Sequence, residues 1–168
     1  AYSRLCWAPS IKYHDGTYYI GVNIADDGFV MFKSNKPEGP YSMHKFDKRL
    51  YDPGFFIDDD GTAYLLSATN MNRDINIYKL DPSWTKPVLL VNTICKGLHR
   101  ETPAIIKKDG EYYFFSSKAS GWYPSQTMYT SAADLGGEWT PMREIGNNST
   151  FDAQFNRIST VGKTCGVW

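Results

Sequence analysis

The chain lacks helical periodicity. Nowhere do apolar residues recur at three- and four-residue spacing, and scattered glycines and prolines would break any candidate helix. Helical bundles are thereby excluded, and an all-β fold is left. No apolar run is long enough to span a bilayer, so a membrane partner is not expected. Neither sign of charge is in excess, with 18 basic against 18 acidic residues, which removes the electrostatic argument for a nucleic-acid partner. Cysteine is scarce. Cys6, Cys95 and Cys165 are odd in number and far apart, and no Cys-x-x-Cys pair or Cys/His cluster occurs. Neither a metal site nor another cofactor is therefore expected. The three read as buried thiols and do not settle the compartment, a secreted or periplasmic location being slightly favoured over a cytoplasmic one. The glycosylation sequons at Asn147 and Asn148 are matches that chance often supplies, and they decide nothing.

What the chain has is one sentence written three times. Trp7-Ala-Pro-Ser-Ile-Lys-Tyr-His-Asp-Gly-Thr-Tyr-Tyr is echoed by Tyr51-Asp-Pro-Gly-Phe-Phe-Ile-Asp-Asp-Asp-Gly-Thr-Ala-Tyr and by Arg100-Glu-Thr-Pro-Ala-Ile-Ile-Lys-Lys-Asp-Gly-Glu-Tyr-Tyr. Prolines 9, 53 and 103 each precede an apolar strand, and glycines 16, 61 and 110 close an Asp-Gly turn before an aromatic-rich strand. Further strands follow in each copy, over Phe29 to Ser34, Ile75 to Leu80 and Thr127 to Ser131. Outer strands are expected at Gly39-Pro-Tyr-Ser, Val88 to Val91 and Glu138-Trp-Thr-Pro-Met. Repeated four-stranded units of this length are propeller blades. A β-sandwich also alternates strands and turns, but gives no reason to repeat Pro, Asp-Gly and Tyr in register. The blades are placed at about 7–46, 51–92 and 101–146, with a further one beginning over 150–168. Both ends look cut, so the chain is expected to be part of a larger catalytic domain.

In a propeller the first strand of each blade lines the central channel. The slots before the three prolines should therefore meet at one mouth, although they lie about 50 residues apart. They hold Trp7-Ala8, Tyr51-Asp52 and Glu101-Thr102, twice a carboxylate at what reads as one fixed spot. Aromatics make up 15% of the chain, a load that suits strands and also suits sugar binding, because flat rings stack on pyranose C–H faces. A carbohydrate is the expected partner. The run Asp58-Asp-Asp60 lies at the other end of its strand and reads as a solvated turn.

With Asp52-Pro in one blade and Glu101-x-Pro in the next, the chain resembles glycoside hydrolase family 43, whose fold is a five-bladed β-propeller. The resemblance spans essentially the whole chain, as blades two to four and the start of five. It implies an inverting mechanism with three carboxylates. The acid maps onto Glu101, and the residue that tunes and orients it maps onto Asp52. The general base belongs to blade one, which is not in this chain. An inverting pair stands about 6.5–9.5 Å apart across the sugar, and a nearby Asp52 would raise the pKa of Glu101 by like-charge repulsion. Arg100 sits beside the acid as a candidate sugar contact, with the opposite effect on its pKa. Trp7 floors the sugar pocket or is a core residue. Trp122, in Ser120-Gly-Trp-Tyr-Pro, is a candidate stacking platform, and that stretch is similar to the exo-β-1,3-galactosidase branch. Gln154 hydrogen-bonds a sugar hydroxyl or the attacking water, or is an ordinary strand-start residue. The implied substrates are β-xylosides, α-L-arabinofuranosides or β-1,3-galactosides of plant cell-wall glycans. A non-catalytic carbohydrate-binding propeller is the alternative.

Overall fold

The computed structural model describes residues 6–25, 27–155, 158–161 and 164–167. Three antiparallel sheets of four strands follow one another along the chain, each a simple meander. The first contains β1 (Cys6–His14), β2 (Thr17–Ile24), β3 (Gly28–Ser34) and β4 (Ser42–Lys45). The second contains β5 (Tyr51–Ile57), β6 (Ala63–Thr69), β7 (Asp74–Leu80) and β8 (Pro87–Ile94). The third contains β9 (Arg100–Lys108), β10 (Glu111–Lys118), β11 (Thr127–Ala132) and β12 (Arg143–Ile145). A hairpin of β13 (Ile158–Val161) and β14 (Thr164–Val167) ends the described chain. Among the described residues no helix is long and apolar enough to cross a membrane.

The Asp-Gly turns do what their chemistry allows. Asp15 and Gly16 (φ 44° and 76°) and Asp109 and Gly110 (φ 52° and 84°) each join two strands through a pair of left-handed residues. That is the geometry that matches the right-handed twist of a hairpin. Two outer strands differ from expectation. Residues 138–142 form no strand, and β12 starts only at Arg143. Pro141 has no N–H to give a ladder, and Trp139 turns inward to meet Phe114 edge-on, with ring centroids 6.1 Å apart. Gly39-Pro40-Tyr41 likewise stays outside β4, which opens at Ser42.

The sheets stack face to face, and the core lies between them. Tyr19, Phe29 and Met31 of the first pack on Leu65, Tyr78, Leu80 and Trp84 of the second. Trp84, on the connection between β7 and β8, stacks on Tyr19 at 4.1 Å and on Phe55 at 5.9 Å. Phe56, Leu66, Ile75 and Ile77 of the second sheet pack in turn on Ile105, Tyr112 and Phe114 of the third. Beyond that, Phe155 stacks on Phe115 at 6.1 Å and donates its backbone N–H to Ser117 Oγ at 2.8 Å. Successive blades sharing apolar faces around an axis constitute a partial propeller, the fold read from the repeat.

The sheets approach most closely at their inner strands. A Cβ on Gly54 of β5 would lie 2.1 Å from the Pro103 carbonyl oxygen of β9, a separation no side chain tolerates. Glycine is required there by the neighbouring backbone. The thiols are not uniformly buried, contrary to expectation. Cys6 is exposed on β1, whose start no other described blade covers, and Cys95 is half-buried. Burial pushes the Cys95 thiol up to about 12, with Arg100 opposing, so it stays protonated and unreactive. The side chain of Cys165 lies outside the described residues.

Candidate active site

Each inner strand carries the same irregularity at the same place. Trp7 pairs with Asn23 and Ser10 with Gly21, Tyr51 with Ala68 and Gly54 with Leu66, Glu101 with Ser117 and Ala104 with Phe115. Three steps on the inner strand answer two on its partner, which is a β-bulge with one extra residue. The residue before each proline is left-handed: Ala8 at φ 39°, Asp52 at 49° and Thr102 at 54°. A residue before proline is ordinarily extended, and holding a non-glycine left-handed costs on the order of 1–3 kcal/mol. The distortion re-aims the chain. Ala8, Asp52 and Thr102 all line one cavity of about 1230 Å³ that runs beside β1, β5 and β9.

The three slots thus meet, with a correction to their register. Asp52 does not occupy the same position as Glu101. It stands on the bulge, with Ala8 and Thr102, whereas Glu101 holds the paired position before it, with Trp7 and Tyr51. The rings of Trp7 and Tyr51 lie 6.4 Å apart at 54°, and Trp7 remains 40% exposed toward the open side.

Glu101 is 9% exposed. Burial pushes its carboxyl up to about 7, and the nearby charge of Asp52 adds to the rise. The backbone amide of Ser120, the Asn72 side chain and Arg100 pull the other way without cancelling it. Asn72 Nδ2 donates to Glu101 Oε2 at 3.4 Å. Asp52 is itself raised by burial. Two carboxyls in one partly dry site hold fewer charges than two in water, so one of them keeps a proton near neutral pH.

Three other expected site residues have different surroundings. Arg100 is buried, and its guanidinium turns into its own blade rather than toward a sugar. Nε donates to Ser116 Oγ at 3.0 Å, while Nη2 donates to the carbonyls of Ser116 and, at 2.9 Å, Gln126. Its neighbour on the strand faces the opposite side, as alternate strand residues must. Trp122 is fully exposed and Tyr123 nearly so, on the loop between β10 and β11. Gln154 clamps that loop. Its Nε2 lies 3.0 Å from Ser120 Oγ, 2.9 Å from the Gly121 carbonyl and 2.6 Å from the Tyr123 carbonyl.

At the far end of the inner strands Asp58 is not a solvated turn residue. It accepts from Lys107 Nζ at 2.7 Å and from the Tyr112 hydroxyl at 2.6 Å, tying the second sheet to the third. Burial raises its pKa, but those donors and the Asp59 amide outweigh it and hold the carboxyl below the usual range. Asn72 and the Ser120 amide escaped the sequence reading because both belong to connecting loops that show only as turns. Among the described residues no three His, Cys, Asp or Glu side chains gather as metal ligands.

The sequence profile of the glycosyl hydrolases family 43 matches residues 1–162. The chain belongs to that family. It is 30% identical, over 70% of its length, to a xylosidase/arabinosidase of Butyrivibrio fibrisolvens, and covers 26% of that protein. It is 32% identical, over 68% of its length, to a non-reducing end α-L-arabinofuranosidase of Bacteroides ovatus, and covers 23% of it. Among solved structures, the exo-β-1,3-galactanase of Phanerochaete chrysosporium with galactose superposes with a TM-score of 0.86. There the identity is 26%, over 97% of this chain and 42% of the galactanase. This family 43 chain therefore spans about a quarter of the length of the curated relatives it matches.

Proposed function

We propose that the chain supplies the acid half of an inverting glycosidase that removes terminal sugars from cell-wall polysaccharides or oligosaccharides. Glu101 is the general acid, kept protonated chiefly by burial with the Asp52 carboxylate adding to the effect; the family resemblance assigns the general base to a blade other than these three. Glu101 gives its proton to the glycosidic oxygen as the bond from that oxygen to the anomeric carbon breaks. Water attacks the same carbon from the opposite face and loses its proton to the base, so the anomeric configuration inverts. The observation that carries this reading is the buried Glu101 carboxyl, pushed up to about 7, within electrostatic reach of Asp52 and next to Thr102, both of which line the channel.

Trp7 and Trp122 are the faces offered to the sugar, since both rings are open to solvent, Trp7 next to Ala8 of the channel wall and Trp122 on the loop whose Ser120 amide meets Glu101. β-1,3-Galactosides are the substrates to try first, ahead of β-xylosides and α-L-arabinofuranosides. The galactanase similar to this chain over nearly its whole length has been solved with β-1,3-galactotriose. In the full-length protein, Glu101→Gln should lose about 10²- to 10⁴-fold on glycosides with poor leaving groups and much less on activated aryl glycosides, which need little protonation. Equal losses on both would remove Glu101 from the role of acid. Sugar binding without turnover by the unaltered protein would leave a carbohydrate-binding propeller.

A further inference from the structure

Between β6 and β7 the chain does something costly. Asn70, Met71 and Asn72 are consecutive left-handed residues, at φ 52°, 57° and 58°. None is glycine, so each carries backbone strain that its surroundings must offset. They do so from both sides. Asn70 Nδ2 donates to Asp74 Oδ2 at 2.9 Å, and the other oxygen of Asp74 accepts the Gly97 amide at 2.9 Å. The Arg73 amide donates to the Thr69 carbonyl at 3.1 Å, and the His99 amide to the Arg73 carbonyl at 3.4 Å. Gly97 and His99 belong to the connection that runs directly into β9 and Glu101. The loop is thus fastened to the connection that leads into the acid-bearing strand, although it grows from the neighbouring blade. What it delivers there is one amide, Asn72 Nδ2, against Glu101 Oε2.

We infer that Asn72 is a positioning residue: its amide, carried across the blade boundary by the left-handed loop, fixes the Glu101 carboxyl so that Oε2 only accepts and Oε1 bears the proton that goes to the leaving oxygen. This rests on Glu101 being the general acid. The chemistry suits the task. A donor on Oε2 competes with a proton on that same oxygen and so places the proton on the other one. An orienting cation would discharge the acid, and the cation nearest in sequence, Arg100, is turned away into Ser116 and Gln126. A neutral amide orients while leaving the carboxyl able to stay protonated, with burial and Asp52 still dominant.

Two substitutions isolate the side chain from the backbone. Asn72→Gly keeps the left-handed conformation at no steric cost and removes only the amide. Asn72→Asp keeps shape and conformation but exchanges a donor for an acceptor. Both are made in the full-length protein, and the Glu101 carboxyl is titrated by ¹³C NMR alongside pH–rate profiles. Asn72→Gly should raise the midpoint of Glu101 by roughly half a pH unit, and Asn72→Asp by more, since a hydrogen bond to the charged form is lost and then a like charge gained. The alkaline limb of kcat should follow. On poor leaving groups kcat should fall by about 10-fold with KM within about twofold, and activated aryl glycosides should be spared. An unmoved Glu101 midpoint in both variants overturns the inference. So does a raised KM with equal losses on both substrate kinds, which would make Asn72 a sugar contact. If Glu101→Gln keeps its rate on poor leaving groups, the acid assignment itself fails and takes this one with it.

Discussion

β1 and β9 carry the same frame, a proline after a left-handed residue, a bulge and an Asp-Gly turn, yet they live in different environments. From Cys6 to Pro9 every residue of β1 is exposed, whereas Arg100, Glu101, Pro103 and Ile105 of β9 are buried. The difference does not come from the strands themselves. β9 has the second sheet against it, with Gly54 in van der Waals reach of Pro103 and Phe56 edge-on to Tyr112, while no described residue covers the far side of β1. One slot accordingly presents an open aromatic face at Trp7 and a dry acid at Glu101. Neighbour packing, rather than the slot, makes a carboxyl into a proton donor near neutral pH.

The contrast can be broken at the buried side first. Phe114→Ala, in the fully buried face behind β9, should cost about 3–5 kcal/mol in urea unfolding, while Tyr13→Ala on β1, 58% exposed, should cost less than about 0.5. Similar costs at both positions would mean that β1 is covered in solution. Gly54→Ala should cost roughly 3 kcal/mol, because its Cβ must push Pro103 away. It should also lower the titration midpoint of Glu101 by letting water between the strands. A variant that melts normally would show that the two strands are not in contact.

A smaller effect has the opposite sign. Burial, with Asp52 adding to it, pushes the folded Glu101 carboxyl up to about 7 from its ordinary value near 4.5. The folded state therefore binds that proton more tightly, and the site weakens the fold as pH rises from the lower value through the higher. Glu101→Gln should stabilise the protein by roughly 1–2 kcal/mol at pH 8, after allowance for solvent screening, and by almost nothing at pH 4. An equal gain at both pH values would point to packing instead of charge. Asp58 runs the other way. Its pKa is depressed, so its contribution is present above about pH 4 and is lost as pH falls through the folded value. Asp58→Asn should cost about 1 kcal/mol at pH 7 and progressively less as pH falls below about 4, and a flat difference would dismiss the clamp.

Much of the fold was legible because its causes are local. Asp-Gly pairs dictate hairpins, and the repeated Pro frame marks where each blade starts, so the three sheets fall where the repeat puts them. The site was legible as residues and not as geometry. Residues before proline are ordinarily extended, so nothing in Asp52-Pro53 announces a left-handed bulge. The offset of Asp52 from Glu101 by one position was already there in Asp52-Pro53 against Glu101-Thr102-Pro103; the bulge makes the two positions structurally different. Arg100 reads differently because neighbours on a strand take opposite faces, so adjacency to Glu101 in sequence argued against a shared pocket and not for one. Asp58 was misread because its partners lie 49 and 54 residues away, beyond any local pattern. The outer strand of the third sheet slipped past Pro141 for want of one N–H.

The repeated bulge has a consequence for how such a protein can change. Because the same kink recurs in all three described four-stranded blades whatever residue stands on it, the side chain there is free of any duty to the ladder around it. Alanine, aspartate and threonine already occupy it in turn, at positions 8, 52 and 102. The backbone thus behaves as a rack of interchangeable tool holders facing one workspace. A lineage, or an engineer starting at Ala8, can swap the tool in one holder while the scaffold and the other holders stay as they are.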